Sequence, residues 1–340
     1  MHRIVLAYSG GPRSSAAISW LAETYRAEVV ALTLDIGQGG DLEDVRDRAL
    51  AAGAIRAHVL DVRDEFARHY LIPALKADAL YEGHRSRADA LSHPLIAQKL
   101  VEIAAIEQTA TVAHGSAAAD ARIGVAVRAF DPAIDVLAPA SDLPLPAVSQ
   151  RGPLGSPGSI DSPRAGAGVP AAAAAVGWPV ATKLPGECPN EPAFVEITFT
   201  RGMPTAINAI AMPLVDLVGS LDIIAGAHGV GRSDGLESPA AIVLHHAHGD
   251  LQALTITGEA DDFSRRVSRQ LAEIIERGSW FTPLREALEA YVDSMQGGVT
   301  GVIRLRLFKG DCVIVDRRTA LPDAVMAPAR KLTFTATAKA

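Results

Sequence analysis

Residues 5–15 read Val-Leu-Ala-Tyr-Ser-Gly-Gly-Pro-Arg-Ser-Ser. The chemistry this order suits is anion capture. An apolar strand pattern runs into a turn of small residues and then into a helix. Gly10 and Gly11 let the backbone turn tightly and approach a ligand closely. The helix that follows offers unpaired N–H groups and a positive dipole end. Ser9, Ser14 and Ser15 add hydroxyls, and Pro12 suits a first helical position, where its missing N–H costs nothing. An ordinary strand-turn-helix corner is the bland alternative to this phosphate trap.

The elements that must hold such a turn follow from the pattern of the next 130 residues. Strand-like runs are expected at 4–8, 29–35, 57–61, 111–114 and 136–138, with helices at 14–25, 42–52 and 94–107. Strands that alternate with helices predict a parallel sheet wound on both faces. Ligands on such sheets sit beyond the carboxyl ends of the strands, where Ser9-Gly10-Gly11, Asp35-Ile36-Gly37-Gln38 and His114-Gly115-Ser116 all fall. The stretch 139–176 is rich in Pro, Gly, Ser and Ala, a loop composition, and a closing strand is expected at 178–183. After Pro192 the rhythm changes. Strands are expected at 194–200, 203–208 and 240–246, helices at 213–225, 262–276 and 283–295, and a hairpin of 301–307 with 312–316 over Lys309-Gly310. The fold class predicted is α/β: a doubly wound, mostly parallel sheet over residues 1–183, then a second α+β domain over 184–340.

Composition narrows the function. The 340 residues suffice for two domains, and 49% are hydrophobic but only 5% aromatic, so the core rests on Ala, Val, Leu and Ile. A net charge of −7 argues against bulk electrostatic binding of nucleic acid. Cys188 and Cys312 form neither a metal motif nor a disulfide framework. No signal-peptide pattern and no 18-residue apolar run is seen, so a cytoplasmic protein with no membrane partner is expected.

With these residues in view, the chain resembles the argininosuccinate synthase family. The resemblance is carried by Ala7-Tyr8-Ser9-Gly10-Gly11, Asp35-Ile36-Gly37-Gln38, Ala79-Leu80-Tyr81-Glu82-Gly83, Pro94-Leu95-Ile96-Ala97, Ala113-His114-Gly115, His228-Gly229-Val230-Gly231-Arg232, Trp280-Phe281-Thr282-Pro283-Leu284-Arg285, Leu307-Phe308-Lys309-Gly310 and Arg317-Arg318. It implies a HUP-like nucleotide-binding domain followed by a synthetase-type domain. It also implies an ATP-dependent, AMP-forming ligase, with magnesium arriving on the ATP, and a homotetramer. ATP would lie against Ala7, Tyr8, Ser9, Gly10, Gly11, Ser14, Ser15, Leu34 and Gly115. The apolar faces of 262–276 and 283–295 are compatible with oligomerisation and equally with internal packing.

The departures from the family pattern fall on the chemistry. Pro12 and Arg13 replace a Leu-Asp pair, so a guanidinium stands where a carboxylate is expected. Either Arg13 binds phosphate oxygens or it points to solvent and an acidic function is lost. After His114-Gly115 the family's Thr-Gly-Lys-Gly-Asn-Asp-Gln-Val-Arg-Phe run becomes Ser116-Ala117-Ala118-Ala119-Asp120-Ala121-Arg122-Ile123, shortened by about three residues when anchored on Val125–Pro132, which puts Arg122 on the motif's arginine. Alanine side chains cannot hydrogen-bond an amino acid. His84-Arg85 and Asp89-Ala90 replace further substrate residues, and Glu237 is a candidate for a displaced acid. The expected ligase thus has an acceptor pocket changed from citrulline and aspartate. Ser9, Arg13 and Arg122 are its catalytic candidates, and Arg85, Asp89, Ser116, Asp120, Arg122 and Glu237 its substrate-binding candidates. A catalytically inactive, nucleotide-binding or oligomer-partner relative is the alternative. No protein metal site is expected: His245, His246 and His248 are read as core or surface residues, and Arg317-Arg318 as solvated surface.

Overall fold

A computed structural model describes residues 2–38, 41–82, 85–115, 121–139, 182–233 and 236–319. The loop expected at 139–176 lies outside these from residue 140 onward, as does the strand expected at 178–183 up to residue 181.

The first half alternates as its sequence pattern demands. Strand β1 (Arg3–Ala7) leads to α1 (Pro12–Tyr25), β2 (Glu28–Asp35), α2 (Leu42–Ala51) and β3 (Arg56–Asp61). A helical run of α3 (Arg63–Phe66), a π-turn (Ala67–Leu71) and α4 (Ile72–Lys76) then leaves the sheet. A short hairpin of β4 (Tyr81–Glu82) and β5 (Arg85–Ser86) precedes α5 (Ala88–Ile106), β6 (Thr111–His114), α6 (Arg122–Phe130) and β7 (Asp135–Leu137). Helix α5 starts six residues before the expected 94, because Pro94 is carried inside it. The five strands pair in parallel in the order β3-β2-β1-β6-β7. Alternate residues of β1 face opposite layers. Ile4 and Leu6 pack with Ile18, Leu21 and Val45 of α1 and α2, whereas Val5 packs with Leu100, Ile103 and Val127 of α5 and α6. Burial on both faces explains why β1 and β2 read as continuous apolar runs.

The second half is α+β. An antiparallel sheet runs in the order β10-β9-β8-β13-β14, from β8 (Ala193–Thr200), β9 (Met203–Ile207), β10 (Ile210–Ala211), β13 (Gly301–Phe308) and β14 (Asp311–Thr319). Helices α7 (Leu214–Ala227), α8 (Pro239–Thr255), α9 (Glu259–Glu276) and α10 (Pro283–Met295), with the two-residue strands β11 (Arg232–Ser233) and β12 (Leu236–Glu237), complete it. The strand expected at 240–246 is corrected. Those residues lie in α8, whose Ala240, Ile242, Val243, Leu244 and Ala247 are almost fully buried. A helix buried on nearly all sides loses its 3.6-residue pattern and cannot be told from a strand by periodicity.

The largest apolar cluster joins the halves. Phe66, Tyr70, Leu71 and Leu75 pack in one core with Val195, Phe199, Leu217, Ile242, Leu271 and Ile303. Tyr70 stacks on Trp280 at 5.4 Å, and Phe130 meets Phe281 at 4.2 Å.

Candidate functional site

The chain leaves β1 at the point where the sheet order reverses. Strand β2 flanks β1 on one side and β6 on the other, and Ala7 pairs with both Leu32 and His114. A crevice opens beyond the carboxyl ends at such a switch point. Here the turn is fixed from below: the Tyr8 N–H donates to Leu32 O at 2.8 Å, and Thr33 Oγ1 donates to Tyr8 O at 3.0 Å. Gly10 takes φ +77°, and a Cβ there would lie 3.0 and 3.1 Å from the two methyls of Val45. Only glycine combines that backbone with that clearance.

Helix α1 begins at Pro12 behind Gly11, whose side gives no capping bond, and no acidic residue stands in the first turn. The positive end of the helix is therefore available to an external anion. The hydroxyls are more committed than the sequence suggests. Ser14, buried, donates its proton to Gly11 O at 2.9 Å, so it can only accept from Ser9 Oγ, 3.3 Å away. Ser15 Oγ and the Tyr8 hydroxyl share a bond of 2.8 Å. Ser9 and Ser15 are half-buried and so more accessible than Ser14. Arg13 is exposed on the first turn and forms no ion pair among the described residues.

The neighbouring loops complete the rim. After Leu34 the chain turns through Gly37 at φ +97°, with Gln38 folded back to donate to Leu34 O at 2.5 Å and to accept from the Ile36 N–H at 2.7 Å. Asp35 and Asp61, ending β2 and β3, hold Arg63 between them at 3.5 and 2.7 Å. The Arg63 hydrogen bond keeps the Asp61 carboxyl below its ordinary range, although burial pushes the other way. Gly115 follows β6, half-buried. Ser116 and Asp120 lie outside the described residues. Arg85 and Asp89 are placed by backbone alone, in β5 and in the first turn of α5.

Arg122 opens α6, and a residue from the second half meets it. The Glu276 carboxylate, in the last turn of α9, lies 3.6 Å from Arg122 Nη1 and 3.4 Å from Nε of the buried Arg87. Gly278, at φ +69°, lets the α9–α10 connection touch the Arg122 backbone: a Cβ there would stand 2.7 Å from Arg122 Cα. Sequence reasoning missed Glu276, because no local motif marks a carboxylate that acts across the fold. Glu237 is 3% exposed and accepts from Thr182 Oγ1 at 2.7 Å, well inside the second half.

The other singled-out residues are structural. His246 and His248 are buried on α8, and His248 Nε2 lies 2.8 Å from Gln296 Oε1. Gln296 uses its amide donors on Lys76 O and Gln252 Oε1, so His248 must be the donor. No group of three metal-ligating side chains occurs among the described residues. Arg317 corrects the expectation of solvated surface: it is nearly buried and meets Asp250 through two nitrogens, at 2.6 and 2.7 Å. Among the described residues no helix is long and apolar enough to cross a membrane.

A parallel sheet in this strand order, with an open glycine turn at its reversal, defines a HUP-type nucleotide-binding domain, joined here to an α+β partner. Comparison with known proteins agrees with both parts. Residues 3–148 match the arginosuccinate synthase N-terminal HUP domain, and residues 174–327 match the arginosuccinate synthase C-terminal domain. The argininosuccinate synthase of Bacillus cereus (strain Q1) is 37% identical over 356 aligned residues, covering 93% of this chain and 87% of the relative. Those of Bacillus thuringiensis subsp. konkukian (strain 97-27) and Bacillus anthracis (strain A0248) align to the same extent. The chain belongs to the argininosuccinate synthase family, a family of ATP-using carbon–nitrogen ligases.

Proposed function

We propose that this protein is an ATP-dependent, AMP-forming ligase whose acceptor pocket differs from one built for citrulline and aspartate. The observation that supports it most is the uncapped α1 N-terminus behind Gly10 and Gly11, open at the switch point of the sheet. The turn suits an anion: Gly10 takes the left-handed backbone of a tight turn, and no carboxylate in the first turn of α1 opposes a phosphate. Ala7 and Leu34 present backbone to the base, Tyr8 supports the turn beneath it, Ser9, Gly10, Gly11, Ser14 and Ser15 surround the phosphates, and Gly115 packs beside the nucleotide. Magnesium arrives with the ATP and offsets phosphate charge.

In this reading an oxygen of the first substrate attacks the α-phosphorus, and pyrophosphate leaves with the electrons of the broken bond. An amine then attacks the activated carbon, AMP leaves, and the amine loses a proton. The protein contributes alignment, fixed donors and exclusion of water. Arg13 lies beside the phosphates. Arg85, Asp89, Ser116, Asp120 and Arg122 border the acceptor, and Glu237 would reach it only by giving up Thr182. A homo-oligomer, tetrameric as the family resemblance implies, belongs to the same reading.

The experiment is a pyrophosphate-release screen with ATP–magnesium and panels of ureas, amides and amino acids, citrulline and aspartate included. Release with a non-citrulline pair, lost in Gly11→Val, is the expected result. Release with citrulline and aspartate alone, at a rate typical of a ligase, would overturn the altered pocket. ATP binding without release from any pair would favour the inactive relative, a reading that the alanines at 117–119 support.

A further inference from the structure

Behind the glycine turn stands a residue that no motif singles out. Arg48, on the second turn of α2, donates from Nη1 to Gly10 O at 2.8 Å. Its other donors point back to its own helix: Nη2 lies 3.2 Å from Asp44 Oδ2, and Nε donates to Asp44 O at 3.4 Å. Helix α2 is itself fixed at its start, where the Asp41 side chain accepts from the Glu43 and Asp44 N–H groups. Val45, three residues earlier and fully buried, fills the space where a Gly10 side chain would be.

We propose that Arg48 is a positioning residue for the nucleotide's phosphates. The inference rests on the reading of the turn as an ATP site. In a trans peptide the C=O and N–H groups point in opposite directions. By holding the Gly10 carbonyl toward α2, Arg48 turns the Gly11 N–H away from α2, to the side where the first turn of α1 opens. A charged donor on the carbonyl also polarises that peptide and strengthens its N–H as a donor to an anion. Asp44 offsets the guanidinium charge, so Arg48 acts through the backbone rather than as a phosphate ligand.

The test is calorimetric titration of the full chain with ATP–magnesium at several salt concentrations, in Arg48→Met, Arg48→Lys and the wild type. Thermal melting of the unliganded proteins runs alongside. Arg48→Met is expected to weaken ATP binding about tenfold, the scale of one charge-assisted hydrogen bond, with an unchanged dependence on salt. Arg48→Lys, which keeps one donor, is expected to recover affinity to within about threefold of the wild type. Wild-type affinity in Arg48→Met overturns the proposal, as does a lowered melting temperature without a change in affinity. A flatter salt dependence in Arg48→Met would make Arg48 a direct phosphate ligand and also overturn it. A wild type that binds no ATP refutes the nucleotide reading itself, a separate outcome.

Discussion

At the scale of single residues, Arg13 and Gly10 decide what the turn can do. A cation in the first turn of a helix opposes the dipole, at a cost of roughly 0.3–1 kcal/mol. Arg13 stands there exposed and without an ion pair among the described residues. A bound triphosphate would reverse the sign of that interaction. Arg13→Ala is therefore expected to raise the melting temperature of the unliganded protein slightly while weakening ATP binding about three- to tenfold. Stability and affinity moving together, or affinity unmoved, would assign Arg13 to solvent. Gly10→Ala meets two penalties, a left-handed backbone worth about 1–2 kcal/mol and contact with Val45 at 3.0 Å. Chemical denaturation should register a loss of at least that size, with ATP binding lost in step.

At the scale of elements, the packed pair of helices α7 and α8 carries two opposed titrations. Asp222, half-buried on α7, accepts from the Ala240 N–H of α8 at 2.8 Å. Burial pushes its pKa up from 3.8 to about 7, against that hydrogen bond. The native state thus keeps a proton that the unfolded chain loses, and stability falls as pH rises from about 4 to about 7. Burial pushes His248 down from 6.5 to about 4, against its bond to Gln296. There the unfolded chain holds the extra proton, and stability falls as pH drops from 6.5 to about 4. Each slope is about 1.4 kcal/mol per pH unit, and over the shared window the two cancel. Urea denaturation across pH should therefore show a steeper rise of stability with pH in Asp222→Asn than in the wild type. His248→Gln should show a fall with pH relative to the wild type. Parallel curves for all three proteins would contradict the assignment. Legibility in sequence divides along similar lines. Strands β1, β2 and β6 and helices α1, α2 and α10 could be read because each is amphipathic, doubly buried or capped by a local signal such as Asp41. Helix α8 could not, because burial on all sides erased its periodicity. The hydroxyl roles of Ser14 and Ser15 and the contribution of Arg48 depend on distances across the turn, to which spacing is blind.

At the scale of the whole molecule, the second half braces helix α6 of the first. A carboxylate in the last turn of a helix is unfavourable by itself, yet Glu276 ends α9 facing Arg87 and Arg122. With Gly278 on the Arg122 backbone and Phe281 on Phe130, it fixes α6 at both ends. Glu276→Gln should cost about 1 kcal/mol, discounted for the exposure of the carboxylate. It should also speed hydrogen exchange in the first turn of α6 while leaving β1 and β2 protected. Unchanged exchange there would remove the link. Arg122 was legible as a site candidate through the family motif, but its partner lay 154 positions away in the chain. The central proposal is a nucleotide held at the β1–α1 turn, and a titration of the protein with ATP–magnesium, followed by heat, tests it most directly. Saturable one-site binding in the wild type and its loss in Gly11→Val is the predicted result. No heat of binding at millimolar ATP, or equal binding by both proteins, would contradict it.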